Sequence, residues 1–294
     1  MGLSLRSSSL YSPLMKSIVF MGTPEFALTH LKAIHQYFPA HRLLVFSRPD
    51  APKGRGKQMM ASPVKQWAIE MGLLVFTPAS KQELDQQVSE LNPDIIFVVA
   101  YGMILPKTLT DRYFCVNVHG SLLPKYRGAS PIQTALLNND TETGVTLIAM
   151  NEKMDEGDVL SHATLKLDSD DCFLQVHDRL ADLGSQLSLA LIERYFLGKP
   201  IERIPQSVLG LSYCHKLLKQ DTELLPNDSI DVKWGKIRAF SPNPAAFLIQ
   251  DGHPIKIITA ERQGDTLIPK IVKPEGKKAM SYDAYLLGHA LLRI

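Results

Sequence analysis

The chain has 294 residues, 45% of them hydrophobic and 21% charged, enough for one full-sized domain of up to about 200 residues and a smaller second one. The formal net charge is only +2, so a basic surface for nucleic acid must come from local clustering rather than from the total. Cys115, Cys172 and Cys214 are too few and too widely spaced for a disulfide framework or a CxxC metal knuckle, which favours a reducing cytoplasm. No apolar run reaches the roughly 20 residues that span a bilayer.

Residues 1–14 are Ser-rich with Arg6 as their one charge, and their broken apolar stretch lacks the h-region of a signal peptide. They are expected to be a disordered extension. From Lys16 onward, short β-branched runs at residues 17–21, 43–46, 73–76, 94–100, 115–118 and 143–150 alternate with longer amphipathic stretches. Continuous apolar runs of this length between helical segments predict buried parallel strands, hence an α/β, Rossmann-like, mostly parallel sheet. After the first run, Thr23, Pro24 and Glu25 predict a helix start with Thr23 as its cap. That turn reads GTPEFA, not GxGxxG, so the backbone opening a dinucleotide needs is missing and NAD is not the expected ligand.

Further along, residues 172 to about 197 read as a long helix closed by Gly198, Lys199 and Pro200, the punctuation that ends a helix and often a domain. The division expected is a catalytic domain over 15–205 and a second domain over 206–294. In the second part, strand-like runs at 247–250, 254–260 and 266–272 are broken by Asp251-Gly252 and Gln263-Gly264 turns, which predicts a small, mostly β unit. Residues 233–278 hold nine Lys or Arg against four acids, a local excess of 9 − 4 = +5.

Chemistry concentrates in residues 116–132. Asn117 and His119 stand two apart at a predicted strand end, so both side chains share one face. Asp155 follows another predicted strand, whose end is expected at the same carboxyl edge, where open α/β sheets bind ligands. An amide, an imidazole and a carboxylate make an acyl-transfer set without a nucleophile of the enzyme's own. The nearby Ser121 and Cys115 show no activating partner. The remaining histidines have no metal-ligand spacing, and no metal is expected.

NVHGSLLPKYRGASPI at 117–132, followed by MDEGD at 154–158, closely resembles the folate-dependent formyltransferases. That resemblance implies a catalytic triad of Asn117, His119 and Asp155, a tetrahydrofolate-binding turn of Ser121, Leu122, Leu123 and Pro124, and 10-formyltetrahydrofolate as co-substrate. Residues 47–65 are similar to the insertion loop of the family branch that formylates methionyl-tRNA. Arg48, Lys53, Arg55 and Lys57 oppose only Asp50 over ten residues, among glycines that let a phosphate chain come close. By resemblance these four residues contact initiator methionyl-tRNA. Residues 237–246 and 276–280 resemble the C-terminal OB-like domain of that branch, a fold that commonly carries nucleic acid. The region 260–268 is shorter than usual there, so a truncated OB-like β-barrel is expected. The implied activity is transfer of the formyl group to the amino group of methionyl-tRNA in the cytoplasm, without an obligate protein partner. The alternatives are formylation of a sugar-nucleotide amine, or a non-catalytic tRNA-binding module.

Overall fold

The computed structural model describes residues 15–53 and 58–294; the extension expected over 1–14 lies outside the described residues. In chain order the first half runs β1 (Ser17–Gly22), α1 (Glu25–Tyr37), β2 (Arg42–Phe46), β3 (Ala51–Lys53), β4 (Gln58–Met60), α2 (Pro63–Glu70), β5 (Leu74–Phe76), α3 (Lys81–Leu91), β6 (Ile95–Val99), α4 (Lys107–Arg112) and β7 (Cys115–His119). Then come β8 (Arg127–Gly128), α5 (Pro131–Leu137), β9 (Glu142–Ala149), β10 (Val159–Lys166) and the long α6 (Phe173–Phe196).

The larger sheet has the order β10-β9-β7-β6-β1-β2-β5, parallel from β5 through to β7. Because successive strand residues face opposite ways, β1 sends Ile18 and Phe20 into the layer beneath α1 and α6. Val19 and Met21 go into the layer beneath α3 and α4. All four are fully buried, which is why the strand reads as an unbroken apolar run.

Two expectations are corrected here. The run at 143–150 forms β9, which is antiparallel to β7, with His119 opposite Thr146 and Val116 opposite Ala149. Its end therefore lies beside the start of β7 rather than at the carboxyl edge. A strand buried along its length carries the same apolar pattern in either direction, so composition could not set its sense. Thr23 does not cap α1: Pro24 occupies the cap position with no side-chain cap bond, and Thr23 Oγ1 donates instead to the Tyr101 carbonyl at 2.9 Å.

Beyond α6 the chain crosses back as a strap whose β11 (Tyr213–Cys214) pairs in parallel with β8. Helix α7 (Ile230–Phe240) follows, then β12 (Ala246–Gln250), β13 (His253–Gln263), β14 (Thr266–Pro274), β15 (Met280–Ser281) and α8 (Tyr282–Leu286). These four strands make an antiparallel meander in sequence order, an open sheet in place of the five-stranded barrel of an OB fold. Asp251 and Gly252 turn β12 into β13 with φ of 52° and 80°, the left-handed pair that a tight hairpin wants. Helix α7 serves two cores. Trp234 and Ile237 join the small sheet's core, while Ala239 and Phe240 join the larger one.

Candidate active site

The period of two brings Asn117 and His119 to one face of β7, as expected. His119 is 5% exposed, and its Nε2 lies 2.8 Å from the Tyr126 carbonyl. A carbonyl can only accept, so Nε2 carries a hydrogen and the working nitrogen is Nδ1. Nδ1 faces Asp155 Oδ1 at 3.6 Å, longer than a hydrogen bond and short enough to pair with the ring once a proton arrives there. The imidazole is thus oriented from behind by a main-chain carbonyl and faced in front by a carboxylate.

Asp155 reaches this position by a route the sequence did not disclose. After β9 ends beside the start of β7, residues 150–158 double back, and β10 leaves with Val159 beside Ile148. Gly157 makes the return possible: a Cβ there would stand 1.7 Å from the Ala149 carbonyl oxygen. Asp155 has φ 56°, the left-handed region a non-glycine residue seldom occupies. Its carboxylate accepts from Asn117 Nδ2 at 3.3 Å on Oδ1 and from the Gly128 amide at 2.9 Å on Oδ2. One Asn117 N–H is therefore engaged by Asp155, and the second remains for an incoming oxygen.

Ser121, Leu122, Leu123 and Pro124 stand just after β7, pinned by Thr146. The Leu123 amide donates to Thr146 Oγ1 at 3.1 Å, and Thr146 Oγ1 donates to the Ser121 carbonyl at 2.7 Å. Ser121 Oγ donates to the Lys125 carbonyl. Its hydroxyl is thus engaged and is no nucleophile. Cys115 is equally inert, because burial pushes its thiol up to about 12 and its Sγ–H points at the Leu109 carbonyl.

Asn117, His119 and Asp155 line a cavity of about 680 Å³, with Tyr101, Met103, Ile104, Ile132, Met150 and Phe173 among its walls. A mostly apolar cleft with a few convergent polar groups is what a flat heterocyclic ligand needs. None of Ser121, Leu122, Leu123 and Pro124 is among the lining residues, although the adjoining Gly120 is. A second cavity, of about 750 Å³, lies between Trp234, Arg262 and Asp170; it contains none of the acyl-transfer groups. Among the described residues no group of three or more His, Cys, Asp or Glu could hold a metal ion.

Within the expected basic loop of residues 47–65, β3 pairs with β4, Ala51 opposite Met60 and Lys53 opposite Gln58. Arg55 and Lys57 lie outside the described residues, as does the Lys53 side chain. Arg48 is half-buried before β3, near Tyr101. Asp50 is taken by Lys65 at 2.7 Å, so it does not offset the loop's charge.

Sequence reasoning missed the residues that hold Asp155. Arg127, 7% exposed, donates from Nε and Nη2 to Gln206 Oε1 at 3.0 and 2.8 Å. Gln206 Nε2 in turn donates to the Asp155 and Gly157 carbonyls, both at 2.8 Å. A lone glutamine beside a proline looks like linker, and no local pattern signals it.

The formyl transferase family model matches residues 15–192. The chain belongs to that family. A methionyl-tRNA formyltransferase of Pseudoalteromonas translucida (strain TAC 125) is 42% identical, over 93% of this chain and 94% of the relative. The family's fold recurs in solved structures. An N-formyltransferase from Helicobacter canadensis, in complex with folinic acid and dTDP-3-aminofucose, superposes with a TM-score of 0.65 at 18% identity, covering 91% of this chain and 99% of that one. A methionyl-tRNA formyltransferase from Clostridium thermocellum gives 0.58 at 17% identity, covering 88% and 99%.

Proposed function

We propose that this enzyme moves the formyl group of 10-formyltetrahydrofolate onto the α-amino group of methionyl-tRNA. The observation that carries the reading is the convergence of Asn117, His119 and Asp155 on one cavity that offers no nucleophile of its own. A 42% identical methionyl-tRNA formyltransferase along nearly the whole chain supplies the substrate pair.

The neutral amine attacks the formyl carbon. A C–N bond forms, and the carbonyl electrons move onto oxygen. The free N–H of Asn117 and a proton on His119 Nδ1 meet that oxyanion, each such donor being worth about 3 to 4 kcal/mol in comparable sites. Collapse of the intermediate breaks the bond to the folate nitrogen, which takes the proton that the attacking nitrogen gives up. Asp155 faces His119 Nδ1 and stabilises its protonated form, and is placed to hold a water for that relay. The folate is bound by the turn of Ser121 to Pro124, beside the cleft that Asn117, His119 and Asp155 line. Arg48, Lys53, Arg55 and Lys57 receive the acceptor end of the tRNA, and the C-terminal four-stranded sheet forms a second contact. Cytoplasmic initiator tRNA is the natural partner.

Steady-state formylation of methionyl-tRNA by the purified chain, with 10-formyltetrahydrofolate as donor, tests the reading, and a dTDP-linked amino sugar serves as the competing acceptor. Turnover with methionyl-tRNA is expected. Turnover with the amino sugar alone would overturn it.

A further inference from the structure

We propose that Gln206 is a positioning residue for Asp155, so that the strap after α6 is part of the active site. This rests on the proposed formyl transfer and deepens it. The argument starts from an unfavourable backbone. Asp155 sits at positive φ in a nine-residue excursion between antiparallel strands, a conformation that persists only where its surroundings over-determine it. Locally little does so: Lys153 N bonds Asn151 Oδ1, and Met154 is largely exposed. The determination comes from 50 residues downstream. The Gln206 amide donates both its hydrogens to the Asp155 and Gly157 carbonyls, and its oxygen accepts twice from Arg127. All four hydrogen-bonding positions of the amide are therefore filled.

Arg127 is itself fixed. Its Nη1 lies 3.4 Å from Glu156 Oε1, and its amide donates to the Ser212 carbonyl at 2.9 Å. The strap is stitched down on both sides of Gln206. Ile204 and Val159 exchange both main-chain bonds, Ser212 Oγ accepts from the Tyr126 amide at 3.0 Å, and Cys214 pairs with Gly128. Gln206 thus fixes the main chain of the residue whose carboxylate meets His119 Nδ1, while Gly128, under the same strap, fixes the carboxylate. Gln206 stands outside the lining of the cavity where the acyl-transfer groups converge. Its effect must run through Asp155.

The test is single-turnover and steady-state formylation of methionyl-tRNA by the full chain. Gln206→Ala is expected to lower kcat by about 10- to 100-fold, the cost of a working group misplaced by about an ångström, with KM for both substrates within about twofold. In an Asp155→Asn background, adding Gln206→Ala is expected to cost less than about twofold more, because groups acting as one unit are not additive. Losses that multiply in the double variant, or a change confined to KM, would overturn the proposal. Gln206→Glu guards against a folding artefact. It still accepts from Arg127 but turns an oxygen towards two carbonyls, and is expected to keep wild-type circular dichroism and a cooperative unfolding transition and to match Gln206→Ala in kcat. Wild-type kcat in Gln206→Glu would also overturn it. A wild-type chain inactive on methionyl-tRNA would sink the functional reading instead, which keeps the two failures apart.

Discussion

The edge of the large sheet and the small C-terminal sheet handle charge in opposite ways. At the first, a buried imidazole and a partly buried carboxylate stand together, held by protein groups that leave one Asn117 N–H and His119 Nδ1 open. At the second, the sequence shows an excess of five positive charges, yet much of it is spent internally. Arg238, 4% exposed, donates to the carbonyls of Asp171 and Asp168. Lys236 pairs with Asp228, Arg262 with Asp231 and Lys270 with Glu261. Asp228 and Asp231 lie just before the window in which the excess was counted. A count of charges overstates a basic surface, whereas a short polar motif at a strand end understates a site, since most of what holds it lies elsewhere.

The largest effect expected is at the acyl-transfer constellation. Asn117→Ala, His119→Ala and Asp155→Ala should each lower kcat by at least about a hundredfold while circular dichroism and thermal midpoint stay close to wild type. Near-wild-type turnover in Asn117→Ala or Asp155→Ala at saturating methionyl-tRNA would remove the contrast between the two regions.

Next is Gly128, whose φ of 122° and contact with the strap exclude a side chain: a Cβ would stand 2.0 Å from the Cys214 carbonyl oxygen. Gly128→Ala should cost about 1–3 kcal/mol by denaturant titration and more than tenfold in kcat. An active, fully stable alanine variant would show the strap to be loosely seated.

A buried polar group away from chemistry provides the internal control. His30 is fully buried between α1 and α6, and burial lowers its pKa from 6.5 to about 4, against a smaller opposing effect of its bond to the Phe26 carbonyl. The folded ring stays neutral where the unfolded one protonates. Stability is therefore intact above about pH 6.5 and falls as the pH drops towards 4, by about 3 kcal/mol in all. His30→Leu should flatten that slope in chemical denaturation between pH 7 and 4.5, with kcat unchanged. An unchanged slope would assign the acid sensitivity to other groups.

Salt dependence of tRNA binding should change least. Arg55→Ala should reduce kcat/KM for methionyl-tRNA strongly with tetrahydrofolate affinity almost unchanged, and flatten the salt dependence of tRNA binding by one unit in slope or somewhat less. On the small sheet, Lys273 stands opposite Lys256 across the strands, and burial, together with Lys273 and Lys219, lowers the pKa of Lys256. Lys273→Ala should therefore flatten the slope by up to a similar amount, while Lys270→Ala, already paired with Glu261, should leave it unchanged. Equal slopes for the two lysine variants would mean that pairing within the fold does not sort the cations.

What could be read from the sequence follows from how local each signal is. The central parallel strands announced themselves because both faces of β1, β6 and β7 are largely buried. Asn117 and His119 were legible because a period of two is enough to set them side by side. Asp155 was placed correctly by motif and for the wrong geometric reason, since the direction of β9 leaves no trace in its apolar run. Gln206, Thr146 and the Tyr126 carbonyl were illegible because each acts across a separation that only the folded chain closes. Thr23 looked like a cap until the neighbouring strand end offered its hydroxyl a better acceptor.

The strap also bears on where this chain can be cut. The matched family region stops at 192, and the punctuation at Gly198 to Pro200 invites a boundary soon after. A fragment ending there would keep Asn117, His119 and Asp155 and lose the partners of Arg127, Gly128 and the Asp155 loop. A catalytic fragment must therefore extend past Cys214 and, because Ala239 and Phe240 of α7 close the larger core, through Phe240. Exchange of C-terminal domains between relatives would preserve chemistry only when the crossover falls after that residue, so recombination has a narrower window here than the apparent linker suggests.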